Sequence, residues 1–199
     1  MLVESNTIEY TQSLWDRFRM GDEKAYARIY EEYAQLMFSF GMRFTSNREL
    51  VKDCIHDVFV KIYSNRSNLN TTTNIKFYLF VALKNELINV FRKNISFCSI
   101  DSTESLLTVD YITEDNLIDK EEAQERNQKV IEILKILSPR QKEVLYYRYI
   151  EELSFEEIEQ LMHINYQSIQ NLIQRSIKKV RDTFPDFVTI SLLPFLFKV

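Results

Sequence analysis

Only two glycines and three prolines occur in the 199 residues of this chain. Sheets need tight turns that draw on both residue types, so a sheet-rich fold is hard to build here, and the long periodic stretches between these few breakers point to helices. The expected fold class is all-α. Scarce glycine also leaves no loop able to cradle a phosphate. Cysteine is confined to Cys54 and Cys98 and histidine to His56 and His163, with no metal-ligand spacing among them. The two histidines stand far apart, and no serine or cysteine pairs with either in the manner of a nucleophilic site. No catalytic residue, metal or cofactor is therefore expected, and the chain is not read as an enzyme. The cysteines read as reduced thiols.

No apolar run reaches the ~18 residues that a membrane span requires. The longest candidate, residues 187–197, is interrupted by Thr189, Ser191 and Pro194. No secretory leader is recognisable at the N-terminus. The expectation is a soluble, cytoplasmic protein without a membrane span. Hydrophobic residues at 45% and charged residues at 27% supply enough apolar side chain for a packed core in each half of the chain, so disorder of the whole is excluded.

The net charge of −4 is unevenly distributed. Between Asp101 and Glu125 stand nine acids (Asp101, Glu104, Asp110, Glu114, Asp115, Asp119, Glu121, Glu122 and Glu125) against the single base Lys120, which leaves the rest of the chain net basic. This stretch carries Ser and Thr and lacks apolar periodicity until Glu121. It reads as an acidic linker, residues 98–125, between two small helical domains at 10–97 and 126–184, followed by an apolar C-terminal tail at 185–199.

In the first domain Gly21-Asp22 starts a helix in which Ala25, Ile29, Tyr33, Leu36 and Phe40 recur at helical spacing. A second helix begins near Asn47 and buries Val51, Cys54, Ile55, Val58, Phe59 and Ile62, with Asp53, Asp57 and Lys61 on the opposite face. After the polar loop SNRSNLNTTTN comes a third helix with bases at Lys76, Lys84, Arg92 and Lys93, amides at Asn85 and Asn89, and the aromatics Phe77 and Tyr78. Cations and aromatic platforms together suit single-stranded nucleic acid, although a core of aromatics under a solvated basic face is the simpler account of this segment taken alone.

Capping signals define the second domain. Ser138-Pro139-Arg140-Gln141 offers an N-cap serine, a proline at the first helical position and a glutamine to close the capping box. The helix carries Val144, Leu145, Tyr147 and Tyr149 to about Ile150, and Ser154-Phe155-Glu156-Glu157 opens a short helix ending near Met162. His163-Ile164-Asn165 forms the turn, and the next helix buries Ile169, Leu172, Ile173, Ile177 and Val180. A short helix, a tight turn and a longer helix make a helix-turn-helix. Its outer face presents Gln167, Ser168, Gln170, Asn171, Gln174 and Arg175 and then Lys178, Lys179 and Arg181. Glutamine and asparagine pair bidentately with adenine and arginine with guanine, while the basic final turns suit phosphates. The competing account is a polar face in a helical interaction domain.

With these residues in view, the chain resembles the extracytoplasmic-function sigma factors of the sigma-70 family. The run LSPRQKEVLYYRYIEELSFEEIEQLMHINYQSIQNLIQRSIKKVR resembles the family's region four, and GDEKAYARIYEEY with DCIHDVFVKIY resembles its region two. The resemblance implies that region two binds core RNA polymerase and melts and captures the −10 promoter element, while region four reads duplex −35 DNA. It assigns Asp53, His56, Asp57 and Lys61 to the polymerase-binding helix. It assigns Lys76, Tyr78, Lys84, Asn85, Asn89, Arg92 and Lys93 to the −10 segment, and SNLNTTTN to the loop that pockets a flipped-out base. Gln167, Ser168, Gln170, Asn171, Gln174 and Arg175 match the −35 reading helix, with Lys178, Lys179 and Arg181 as backbone anchors. The acidic linker matches the connector that threads through the polymerase, and an anti-sigma protein is the implied regulatory partner.

Three positions depart from the family pattern. Glu152 stands where a glycine often precedes the first helix of the region-four motif, Gln170 where the reading helix often carries lysine, and Tyr78 where the −10 segment commonly has tryptophan. The tail has no counterpart in the minimal pattern, and packing on region four is the expectation. The rival function is a helix-turn-helix repressor or response regulator acting on duplex DNA without a sigma role, against which the missing parallel sheet of a receiver domain argues.

Overall fold

The computed structural model describes residues 2–95 and 132–184, and the acidic linker and the C-terminal tail lie outside them. Every regular element among the described residues is helical, and the chain divides into two compact units, Met1–Asp101 and Ser102–Val199.

The first unit contains α1 (Leu2–Arg19), α2 (Glu23–Gly41), α3 (Arg48–Ser64), a 3-10 turn (Arg66–Asn68) and α4 (Ile75–Ile95). Helix α1 starts well ahead of residue 10 and was not expected; it buries Leu14, Trp15 and Phe18. Gly21, at φ 95°, makes the turn out of α1 in a backbone region costly for a side chain. Asp22 then caps α2: its Oδ1 accepts from the Lys24 N–H at 2.9 Å, and its Oδ2 accepts from Arg17 Nε at 2.8 Å. That arginine hydrogen bond, with the capping N–H groups, holds the Asp22 carboxyl below the usual carboxylate range.

Along α2 the buried side is Ala25, Ile29, Tyr33, Met37 and Phe40. The expected Leu36 is 45% exposed, so Met37 takes the core position; both residues fit the helical repeat, and packing against the neighbouring helices decides between them. At Gly41 an added Cβ would lie 2.6 Å from Val51 Cγ1, which shows how closely the end of α2 approaches α3. The Asn47 side chain caps α3 by accepting from the Leu50 N–H at 3.1 Å. All six residues expected on the inner face of α3 are buried. Burial pushes the Cys54 thiol up to about 11, so it stays protonated and unreactive at neutral pH. From α4, Ile75, Leu79, Phe80, Leu83 and Leu87 complete the core, with Phe80 stacked on Phe40 at a centroid separation of 4.0 Å.

In the second unit residues 132–136 are helical, followed by α5 (Pro139–Tyr149), α6 (Phe155–Met162) and α7 (Tyr166–Thr183). Both expected capping boxes form: Ser138 with Gln141, and Ser154 with Glu157. Helix α7 buries Ile169 and Ile173, whereas Leu172, Ile177 and Val180, expected in the core, are only half-buried. Ser176 is buried instead. Its hydroxyl donates to the Leu172 carbonyl at 2.7 Å, so a small polar residue sits inside without an unsatisfied group.

The turn before α6 forms without glycine. Glu152 adopts φ 57°, a left-handed conformation that costs a non-glycine residue ~1–2 kcal/mol. Replacing Glu152 with glycine is expected to stabilise this unit by about 0.5–1 kcal/mol, the strain relieved less the added freedom of the unfolded chain. A thermal melt showing no rise in midpoint would contradict this.

Candidate nucleic-acid and polymerase interfaces

Helices α5, α6 and α7 pack on one another. The His163–Asn165 turn, with His163 at φ 53° as the left-handed C-cap of α6, turns the chain from α6 into α7. The Asn165 side chain caps α7 by accepting from the Ser168 N–H at 2.9 Å. The buried side of α7 faces α5 and α6, which leaves Gln167, Ser168, Asn171, Gln174, Arg175, Lys178, Lys179 and Arg181 exposed and Gln170 half-buried. The amide, hydroxyl and guanidinium groups occupy the N-terminal two-thirds of this surface, and the cations its end. Gln167 donates to Asn171 Oδ1 at 3.3 Å. Gln170 donates to the Tyr166 hydroxyl at 2.9 Å, and Tyr166, 44% exposed, leans on Phe155 at a centroid distance of 4.9 Å. Sequence reasoning missed Tyr166. An exposed aromatic at the first residue of the outer helix was the available signal.

On α3, Asp53, His56 and Asp57 are exposed along one side, and Val60, 46% exposed, continues their row. Lys61, one turn beyond Asp57 and also exposed, pairs with Glu86 of α4. It therefore ties two helices together besides reaching solvent.

The seven residues expected in the −10 segment divide into two groups. Tyr78, Asn85, Asn89 and Arg92 recur at i, i+7, i+11 and i+14 and share one side of α4, with Lys93 beside them; Tyr78 and Arg92 flank the exposed amides. Lys76 and Lys84 lie on the other side. Lys76 Nζ is 5.3 Å from the centre of the Phe80 ring, and Lys84 is only 8% exposed, so neither shares the outer stripe. Tyr78 is half-buried, its ring 5.0 Å from that of Trp15, and burial raises its hydroxyl above the ordinary range, so it stays a neutral donor.

Beside the Tyr78 stripe lies a cavity of about 140 Å³ lined by Val58, Lys61, Ile62, Asn65, Leu69, Tyr78, Ala82 and Glu86. The end of α3, the loop after it and one side of α4 thus form three walls. The loop is pinned at both ends. Asn65 Nδ2 donates to the Lys61 carbonyl at 3.2 Å, and Arg66 donates to the Tyr63 carbonyl at 2.8 Å. At the far end Thr72 Oγ1 accepts from the Asn74 N–H at 3.1 Å and Asn74 Oδ1 from the Phe77 N–H at 2.9 Å.

Two sequence families correspond to these two helical units. Sigma-70 region 2 matches residues 29–95, and Sigma-70 region 4 matches residues 127–180, in that order along the chain. The chain is also 25% identical over 150 residues to the RNA polymerase sigma factor YlaC of Bacillus subtilis, covering 74% of this chain and 85% of that one. The ECF RNA polymerase sigma factor SigW of the same organism is 23% identical over 178 residues, 84% of this chain and 93% of its own. This chain is an extracytoplasmic-function sigma factor of the sigma-70 family.

Solved structures share the sigma factor's fold. CnrH, solved in complex with the cytosolic domain of CnrY, matches with a TM-score of 0.55 and 14% identity over 89% of this chain and 99% of that one. RpoE from Bartonella quintana, solved with the anti-sigma factor NepR, matches with a TM-score of 0.56 and 16% identity over 83% and 99%. The repressor reading is not favoured, because a sigma region 2 occupies the half of the chain where a sensing domain would stand. Helix α1 and Trp15 lie ahead of the region-two match. No helix among the described residues is long and apolar enough to cross a membrane.

Proposed function

We propose that this sigma factor divides its work among three surfaces. The exposed row Asp53, His56, Asp57 and Val60 docks on core RNA polymerase, the Tyr78, Asn85, Asn89, Arg92 and Lys93 stripe holds the single-stranded −10 element, and the outer face of α7 reads −35 duplex DNA. The observation that carries this reading is the separation of chemistry on α7: base-pairing amides and Arg175 stand exposed toward its start, and Lys178, Lys179 and Arg181 toward its end. Bidentate readers meet base edges and point charges meet phosphates. The 140 Å³ cavity beside Tyr78 is of a size to receive part of an unstacked base, and the stripe beside it offers amides and cations for the strand.

The sigma factor performs no chemistry itself; core polymerase supplies catalysis, and the sigma factor supplies the address and strand opening. It acts in the cytoplasm with its polymerase. An anti-sigma protein holds it inactive, a role supported by the fold it shares with sigma factors solved bound to such partners. The net charge of +3 on residues 166–184 gives weak affinity for DNA by charge alone, and tethering to polymerase through region two makes weak binding sufficient.

Replacing Gln174 and Arg175 together with alanine tests the −35 assignment. Each good bidentate contact contributes ~1–3 kcal/mol of discrimination, so holoenzyme carrying the double variant is expected to lose roughly ten-fold or more of its −35 preference in a selection from randomised promoters. Binding to core polymerase should be unchanged. Full retention of −35 preference would remove α7 as the reader.

A further inference from the structure

Trp15 is the single tryptophan of the chain and is fully buried, yet its indole N–H is spent on the loop between α3 and α4: it donates to the Asn70 carbonyl at 2.9 Å. The same ring lies 5.0 Å from that of Tyr78. Asn70 follows Leu69 directly, and Leu69 and Tyr78 line the cavity beside the −10 stripe. One side chain therefore stands behind two walls of that cavity. The loop's ends are pinned by Asn65 and Arg66 on one side and by Thr72 and Asn74 on the other, and the indole ties the stretch between them. It does so from α1, a helix that packs against the 3-10 turn Arg66–Asn68.

We propose that Trp15 is a positioning residue for strand capture: its N–H holds the Leu69–Asn70 segment in place while its ring backs Tyr78, so that the cavity is formed before an unstacked base arrives. This rests on the reading of the loop and cavity as the −10 capture site. A preformed cavity discriminates among bases because it need not be ordered by the base itself, whereas a loop free to drift adapts to any of them. Tryptophan serves here because it joins a large apolar ring, which fills the core under Tyr78, to one donor at its edge.

Because the chain has one tryptophan, a tryptophan analogue supplied in its place enters at position 15 alone. β-(3-Benzothienyl)alanine keeps the ring shape and replaces the N–H with sulfur, and 5-fluorotryptophan keeps the N–H. Each form is assembled with core polymerase and presented with fork-junction DNA that has a duplex −35 segment and a single-stranded −10 segment, both randomised, and the bound DNA is sequenced. The benzothienyl form is expected to lose about five-fold in base preference at one single-stranded position, as for loss of one hydrogen bond of ~1 kcal/mol. Its −35 preference should match that of the natural chain, and the fluorinated form should keep the natural preference at both segments. Equal single-stranded preference in the benzothienyl and natural forms would overturn the proposal. So would an equal fall in both segments, which marks a general loss of structure. Trp15→Phe, which also removes the donor, should reproduce the benzothienyl pattern. If the natural chain itself shows no single-stranded base preference, the capture reading fails, and the inference with it.

Discussion

Replacing Asp53 and Asp57 together with lysine is expected to weaken assembly with core polymerase by on the order of 100-fold, with a matching loss of promoter-specific transcript. Both carboxylates are exposed on one side of α3, one helical turn apart, with His56 and Val60 in the same row. In the proposed docking patch these two negative charges, with Val60 at the end of the row, would meet a basic partner surface, and reversing both signs would substitute repulsion for attraction. The fold should survive. Neither side chain reaches the core formed by Val51, Cys54, Ile55, Val58, Phe59 and Ile62, and exposed substitutions usually change stability by no more than ~0.5 kcal/mol. Co-elution with core polymerase checks the first half of the expectation and a thermal melt the second. Lys61→Ala should differ from the acidic variants. Its pairing with Glu86 makes it a strut between α3 and α4, so its loss should disturb the cavity wall more than polymerase assembly.

The largest effect on stability is expected at Phe80. Its ring is 1% exposed and lies parallel to Phe40, itself fully buried, at 4.0 Å between centroids. Truncation to alanine removes the buried ring and leaves a cavity where α2 meets α4, at a cost of about 3–5 kcal/mol. Small domains commonly have only 5–15 kcal/mol in total, so the first unit should be substantially unfolded at 37 °C and assembly with polymerase should fall with it. Denaturant melts with and without the substitution give the difference directly. A loss under 1 kcal/mol would mean that the neighbouring side chains collapse into the space.

Local signals made much of this architecture legible in the sequence. Each capping box is written in four consecutive residues, so Ser138 and Ser154 announced α5 and α6 without knowledge of any distant contact. The inner face of α3 was legible because its apolar repeat is unbroken. Elsewhere long-range packing decided. Leu36 and Met37 both satisfy the repeat of α2, and the neighbouring helices select Met37. Helix α4 begins with IKFYLFVAL, apolar almost all round, so periodicity did not show that Lys84 would be buried and Lys76 would lie over Phe80. Helix α1 was missed because its first half is polar and uncapped in pattern, and Leu14, Trp15 and Phe18 bury only against other parts of the unit. Nothing in the sequence marked Ser176 as buried, because a serine on a helix gives no sign that its hydroxyl will turn back to its own backbone.

The loop before α4 shows the limit most clearly. The family resemblance implied a nucleic-acid contact for it, but the tie from Trp15 to Asn70 spans 55 positions, and no local pattern connects them. The departure at Glu152, by contrast, was visible in the sequence, and its physical consequence is a side chain held in left-handed backbone.

The proposed role of this chain is to confer promoter selection and strand opening on core polymerase. Run-off transcription tests it most directly, using the purified chain, core polymerase from the same cell and a linear duplex library, with permanganate reactivity of unpaired thymines read on the same templates. Transcripts from a small promoter set and reactive thymines in the −10 segment are expected only when both components are present. Duplex binding by the chain without any dependent transcript or strand opening would contradict it.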